Sequence, residues 1–344
     1  MLNDRRTTNL LLLIIVIPLV FYLLKTLSFI FIPLIFSMFI ALLFLPIMRW
    51  LTKRNIPRTI SIILIVLLIV CFFKIGGELI KLSSREILST SDAFLSKAHS
   101  KINLLIGNIE AFFGTDILQE NTSLSTQIFN KETLLKNFGP TLNYIQKSLT
   151  TVLMTAFFVV LWLAESINVH NLINKTILKQ KHTSIKTFMK IEKDLITFIK
   201  VKFLVSLLTG IGTGLACYAF NVSFPIFWGL FAFIINFIQM VGSFITVILL
   251  SIFAFVEIEA TSTLIFFILS ITGVQVLFGA ILEPVFMGKS FSINIITVLV
   301  MLMLWGFIWG VPGLIMAIPI TVFIKIILEQ FKSTRLLASL LSKN

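Results

Sequence analysis

Among the few ionisable residues in the last third of the chain two stand out, each beside a residue that disturbs a helix: Glu283 before Pro284, and Lys289 after Gly288. A charge inside an apolar span is costly and ordinarily faces a partner or a watery cavity. Glu283 is therefore the first candidate for a protonatable or cation-binding group, the plainer alternative being a carboxylate solvated at a helix end. Lys289 reads as an interfacial anchor or a substrate ligand. Neutral hydrogen-bonding groups gather at two further places. Asn236, Gln239, Gly242 and Ser243 form the most polar point of one long apolar run, while Gly306, Gly310 and Gly313 interrupt another. Side chains at the first and open backbone at the second suit a small hydroxylated solute. Gln275 and Asn294 are weaker candidates of the same type. Trp305 and Trp309, four residues apart, share a helix face and read as packing, an interfacial belt or a stacking platform.

The other chemistries lack their residues. No Gly-x-x-x-x-Gly-Lys-Ser/Thr phosphate loop and no hydrolase or kinase pattern occurs, so an enzyme is not expected and uphill transport would draw on an ion gradient. Cys71 and Cys217 lie apart inside apolar runs and read as packing residues. His99, His170 and His182 have no ligand spacing, so neither metal nor cofactor is expected.

Such groups need elements to hold them, and composition says which. Of 344 residues, 58% are hydrophobic and 12% charged, with a mean hydropathy of +1.04. That is a polytopic membrane protein. The net charge of +13 could mark nucleic-acid binding in a soluble protein; here it follows from Lys and Arg retained in cytoplasmic loops, and no nucleic-acid partner is expected.

A hydrocarbon core takes about 20 helical residues. That length finds spans at 10–25, 27–48, 59–75, 148–164, 203–220 and 261–282, the first an uncleaved span behind Arg5 and Arg6. The stretch Arg49 to Arg58, with four cations and no acid, reads as a cytoplasmic loop. Residues 76–147 form a polar insert in which seven Lys and Arg balance seven acids, as suits the outer side. Leu88, Leu95, Ile102 and Ile109 recur at seven residues and predict an amphipathic helix, limited by Gly107 and Gly114, that packs within the chain or against a second copy. Eight lysines between Lys175 and Lys202 face Glu192 and Asp194, giving a basic cytoplasmic stretch that sets orientation or holds anionic lipid. Gly210 and Gly214 let another helix approach.

Residues 225–256 are too long for one span and too short for two, since half-helices would rise only about 21 Å each. A re-entrant hairpin is the preferred reading and a kinked helix the alternative; 291–328 reads the same way around Gly306 to Gly313. Span plus hairpin then occurs twice with opposite topology, placing two broken tips face to face at the midplane, a geometry for alternating access. Expected segments are 1–75 (membrane spans), 76–147 (insert), 148–202 (fourth span and basic loop), 203–330 (transport core) and 331–344 (basic tail).

Glu283-Pro284, Met287-Gly288-Lys289, Trp305-Gly306, Gly310, Gly313 and Ala317-Ile318-Pro319 resemble the C-terminal signature of the autoinducer-2 exporter (AI-2E) family. Ala41 to Pro46, Trp50-Leu51, Ile56-Pro57-Arg58, Leu204 to Gly214 and Asn236 to Gly242 extend the likeness to most of the chain outside the insert. Two departures are Ile238-Gln239, where the family usually has proline after the isoleucine, and Lys200-Val201-Lys202, where an Arg-Gly-Gln group is common. The resemblance implies export or bidirectional passage of a small polar solute, autoinducer-2 being the named case, in the inner membrane of a bacterium with both termini cytoplasmic. Other members are similar to sodium or lithium per proton antiporters.

The fold expected is thus all-α and polytopic, with about six transmembrane helices, two re-entrant hairpins and an extracytoplasmic helical insert. The functions weighed are a solute permease, a monovalent cation/proton antiporter using Glu283, and a non-transporting scaffold acting through the insert. Lipid and further copies of the chain are the expected partners.

Overall fold

A computed structural model describes residues 4–113, 151–165, 182–238, 241–287, 293–330 and 334–341, and among these all regular structure is helical. Helix α1 (Asp4–Thr26) passes to α2 (Ser28–Lys53) through Leu27 alone. Arg54 N–H closes α2 on the Leu51 carbonyl (3.0 Å), and Asn55 takes a left-handed φ of 61°, which ends a helix readily. The basic stretch expected to be a loop is therefore mostly helix, with only Arg54 to Pro57 outside one.

Helix α3 (Arg58–Phe113) runs for 56 residues, a rod of about 84 Å. It crosses Gly76, Gly77 and Gly107, so the third span and the amphipathic helix of the insert are one element. A glycine inside a helix costs about 1 kcal/mol against alanine, too little to break a helix extended on both sides. Lys101 Nζ reaches the Ile258 carbonyl at 3.4 Å and Lys97 lies 3.9 Å from Glu259, which supports the within-chain side of the packing alternative. Helix α4 (Thr151–Glu165) precedes α5 (His182–Ala219), 38 residues in which the end of the basic stretch and the glycine-rich span are continuous.

Then follow α6 (Pro225–Ile235), α7 (Val241–Glu257), α8 (Thr261–Gln275), a π-helical segment (Val276–Leu282), α9 (Glu283–Met287), α10 (Ile295–Trp309), α11 (Val311–Gln330) and α12 (Arg335–Leu341). Among the described residues, five segments are long and apolar enough to cross a membrane: Ser28–Lys53, Thr59–Ser83, Met189–Ala219, Thr261–Met287 and Val311–Glu329. Large apolar side chains on these and neighbouring helices stand in the open, Met303 at 77% and Phe244 at 69% exposure. No described residue covers such surface, and lipid suits it.

Where hairpins were expected, helices pack in pairs: α6 on α7, and α10 on α11. Their arms are unequal. With 20 residues, α11 rises about 30 Å, the thickness of a hydrocarbon core.

The chain divides into two compact units. The first holds α1, α2, the start of α3, α4, the first part of α5, and α10 to α12; the second holds the rest of α3 and α5 together with the segment from α6 to Phe286. The core of the second is an aromatic and small-residue cluster of Ala216, Cys217, Phe224, Trp228, Ala254 and Phe267, in which Trp228 meets Phe253 at 5.2 Å between ring centroids. Cys217 packs there as expected, whereas Cys71 is exposed. Glu257 at the end of α7 accepts from Ser223 N–H (2.8 Å) and from its hydroxyl, holding the α5–α6 turn.

Candidate functional site

The site begins on α5. Lys202, Ser206, Thr209 and Thr213 follow at four, three and four residues, so they share one helix face, and all are buried. On one side of this stripe Gly210 presses its backbone on α6, where an added Cβ would lie 2.7 Å from the Gly229 carbonyl oxygen. On the other side Gly212 faces Val274 and Phe278, a Cβ there meeting them at 3.0 and 3.2 Å. The stripe therefore looks between α6 and the α8–π segment. Close glycine packing, expected from Gly-x-x-x-Gly, is what brings these backbones together.

Along the stripe, Thr209 Oγ1 donates to the Val205 carbonyl within its own helix (2.8 Å). Ser206 Oγ accepts from Asn236 Nδ2 at 3.0 Å, tying α5 to the turn after α6. The Thr213 hydroxyl has no hydrogen-bond partner among the described residues.

Asn236 stands at the C-cap of α6, and Gly242 opens α7. A Cβ on Gly242 would fall within contact of the Ile235 carbonyl group, 2.8 Å from its carbon, so only glycine lets the chain fold back this tightly. Thr246 Oγ1 donates to the Gly242 carbonyl (2.9 Å). Ser243 is half-buried, its Oγ 3.6 Å from where a Cβ on Gly279 would stand, so it faces the π segment. Gln239 lies outside the described residues.

Gln275 is 6% exposed and its Oε1 has no partner among the described residues. Directly after it the helix widens: Val276–Leu282 is π-helical, and Glu283 N–H bonds to the Phe278 carbonyl five residues back. Proline lacks an N–H and its ring crowds the carbonyl of the preceding turn. Widening upstream lets the helix carry Pro284 and continue to Met287, so the Glu-Pro pair does not end the span. Glu283 is 4% exposed, which corrects the reading of a solvated helix-end carboxylate. Single π turns within α-helices recur at functional sites.

In the other unit, Gly310 alone joins α10 to α11, with φ 63° and ψ −138°, close to the first central position of a type II′ turn, which favours glycine. A Cβ on Gly313 would enter the Trp305 carbonyl group, 2.6 Å from its carbon, and one on Gly306 would meet the Leu314 side chain at 2.8 Å. Both turns use one device: a glycine in the first turn of the second helix, pressed on a carbonyl in the last turns of the first. The Trp305 and Trp309 rings lie 4.8 Å apart. Trp309 Nε1 donates to the Leu24 carbonyl (2.9 Å), which makes it a packing residue; Trp305 Nε1 is buried without a partner among the described residues.

Of the residues singled out from sequence, Asn236, Gly242, Ser243, Gln275 and Glu283 belong to one unit, and Trp305, Gly306, Gly310 and Gly313 to the other. Asn294 caps α10, its Oδ1 accepting from Ile296 N–H (3.1 Å). Lys289 lies outside the described residues. Sequence reading passed over Ser206, Thr209 and Thr213, although their helical spacing was legible, because glycines drew attention to the same span. It also passed over Lys325, which is 2% exposed and 3.7 Å from Glu329 on α11.

Several apolar helices long enough to cross a membrane, with polar groups buried along their contacts, define a multi-pass membrane protein. The sequence model of the AI-2E family transporter matches residues 11–333, and the chain belongs to that family. It is 26% identical over 324 residues to the "Putative transport protein" of Haemophilus influenzae, covering 90% of this chain and 89% of that one. Its identity to the AI-2 transport protein TqsA of Escherichia coli is 24% over 316 residues, covering 90% and 89%.

Proposed function

We propose that this chain is a permease of the bacterial cytoplasmic membrane, its termini cytoplasmic, that exports a small polar solute without ATP hydrolysis. The polar groups of α5, the α6–α7 turn and α8 hold the solute. The observation that carries this reading is two buried atoms with no hydrogen-bond partner among the described residues, Thr213 Oγ1 and Gln275 Oε1. A buried polar group left unsatisfied costs about 1–3 kcal/mol, and helix packing gains nothing from keeping it. A hydroxylated solute supplies the missing hydrogen bonds, and the π segment beside Gln275 gives the helix wall an irregular turn to adjust. The relative TqsA, an AI-2 transport protein, makes AI-2 the first solute to test.

The test is efflux of labelled AI-2, and of small polyols, from proteoliposomes. Thr213→Val and Gln275→Leu each remove one unpaired group, so transport falls about tenfold per lost hydrogen bond while the apparent melting temperature stays level or rises. Unchanged transport in both variants overturns the assignment. The burial of Glu283 favours a second reading, monovalent cation/proton antiport. Proton-coupled sodium flux that Glu283→Gln abolishes supports it, and neutral-solute flux indifferent to that change speaks against it.

A further inference from the structure

The first unit carries a cavity of about 670 Å³ between the end of α2 and the beginning of the apolar part of α5. Its polar lining is Arg49, Lys53, Lys190, Lys193 and Lys200 with Thr197 and a single carboxylate, Glu192. That carboxylate is already engaged, since Arg49 and Glu192 pair across the cavity and hold its two walls together. No described carboxylate lies within ion-pair distance of the four lysines. The remaining lining is apolar, including Trp50 and Met189, both in the open. Trp50 carries the Arg54 guanidinium 4.1 Å above its ring, the arrangement of an amphipathic anchor at a membrane surface.

A charge bias that only sets orientation requires cations near a span; it does not require them to converge on a concave, ion-pair-braced cavity with an apolar rim. We infer that this cavity binds a phosphate-bearing anion, supplied by an anionic phospholipid whose headgroup meets Lys53, Lys190, Lys193 and Lys200 while its chains run over Trp50 and Met189. The volume suits a headgroup. Two features favour lipid over phosphate from solution: the cavity lies where two spanning helices leave their apolar stretch, and one wall is apolar. The assignment is independent of which solute the second unit passes.

The full chain, purified in detergent, is titrated with phosphatidylglycerol, phosphatidylcholine or inorganic phosphate, and bound lipid is counted by native mass spectrometry. Phosphatidylglycerol is expected to bind and phosphatidylcholine not, with affinity falling as salt rises. Lys53→Gln/Lys190→Gln/Lys193→Gln weakens binding tenfold or more, given about 1 kcal/mol for each cation at an anionic surface. Lys74→Gln/Lys81→Gln/Arg85→Gln, which removes equal charge at exposed positions outside the cavity lining, leaves binding as in the wild type. Equal loss in the two triples, or none in the first, overturns the site. Inorganic phosphate that displaces the lipid at millimolar concentration overturns the lipid source. Should the first triple fail to fold, Lys193→Glu alone, at an exposed position, gives the same reading through a loss of severalfold or more.

Discussion

Substituting alanine at three glycines separates three physical roles. At Gly313 the new Cβ would lie 2.6 Å from the Trp305 carbonyl carbon and 3.1 Å from Trp309 Cβ, where ordinary contact begins at 3.4 Å. The gap of 0.8 Å (3.4 less 2.6) must be opened between backbones, which cannot rotate aside as a side chain can. Overpacking costs about 1–3 kcal/mol and more when the backbone must move, so Gly313→Ala falls at about 3 kcal/mol or above. At Gly310 nothing stands within 4 Å of the new Cβ, and the cost is conformational, about 1–3 kcal/mol for a residue held at such a φ and ψ. Gly273, within α8 and also free of neighbours, gains about 0.5–1 kcal/mol on becoming alanine, through a less flexible unfolded chain. With about 1–2 °C of melting temperature for each kcal/mol in a chain of 344 residues, Gly313→Ala drops by roughly 3 °C or more and Gly310→Ala by roughly 1–6 °C. Gly273→Ala rises by up to about 2 °C. Heating in detergent at a fixed rate, followed by size exclusion of the soluble fraction, measures all three. Gly313→Ala melting with the wild type would refute the close-approach argument, and Gly310→Ala melting with Gly273→Ala would refute the turn geometry.

The same assay tests two side-chain assignments. Asn236→Ala leaves Ser206 buried without its donor and is expected to cost about 1–3 kcal/mol. Adding Ser206→Ala to it should cost less than the sum of the single changes, and strict additivity would show that the 3.0 Å contact carries no coupling. Trp309→Phe removes the donor to the Leu24 carbonyl and should cost about 1 kcal/mol beyond the lost ring area. Trp305→Phe removes a buried donor that has no partner among the described residues and should be closer to neutral. Equal losses at the two positions would mean that ring size, and not hydrogen bonding, distinguishes them.

Sequence reading reached the candidate site unevenly. Gln275, Asn236 and Glu283 were legible as polar residues in apolar runs, because burial is costly for such groups wherever the chain carries them. What each does was not. Asn236 is bound to Ser206, 30 residues away, and no local pattern names that partner. The Glu-Pro pair read as a break, yet a π segment upstream absorbs it, since strain from a proline can be relieved over the preceding turns as well as by ending the helix. Asn294 read as a possible solute ligand and serves as a cap; the capping bond depends on where α10 begins, which an apolar run does not mark sharply.

Hydropathy, by itself, determined that this chain carries several apolar spans and roughly where they lie, though not where their helices end, because apolar burial adds along the chain without reference to partners. The glycine at 313 and the glycine at 310 look alike in sequence. Only the tertiary structure decided that one makes the turn by its φ and the other admits the Trp305 carbonyl by having no side chain. It likewise decided that basic residues from 49–53 and 190–200 close on one cavity, because charges so distant in sequence converge only after α2 and α5 have packed.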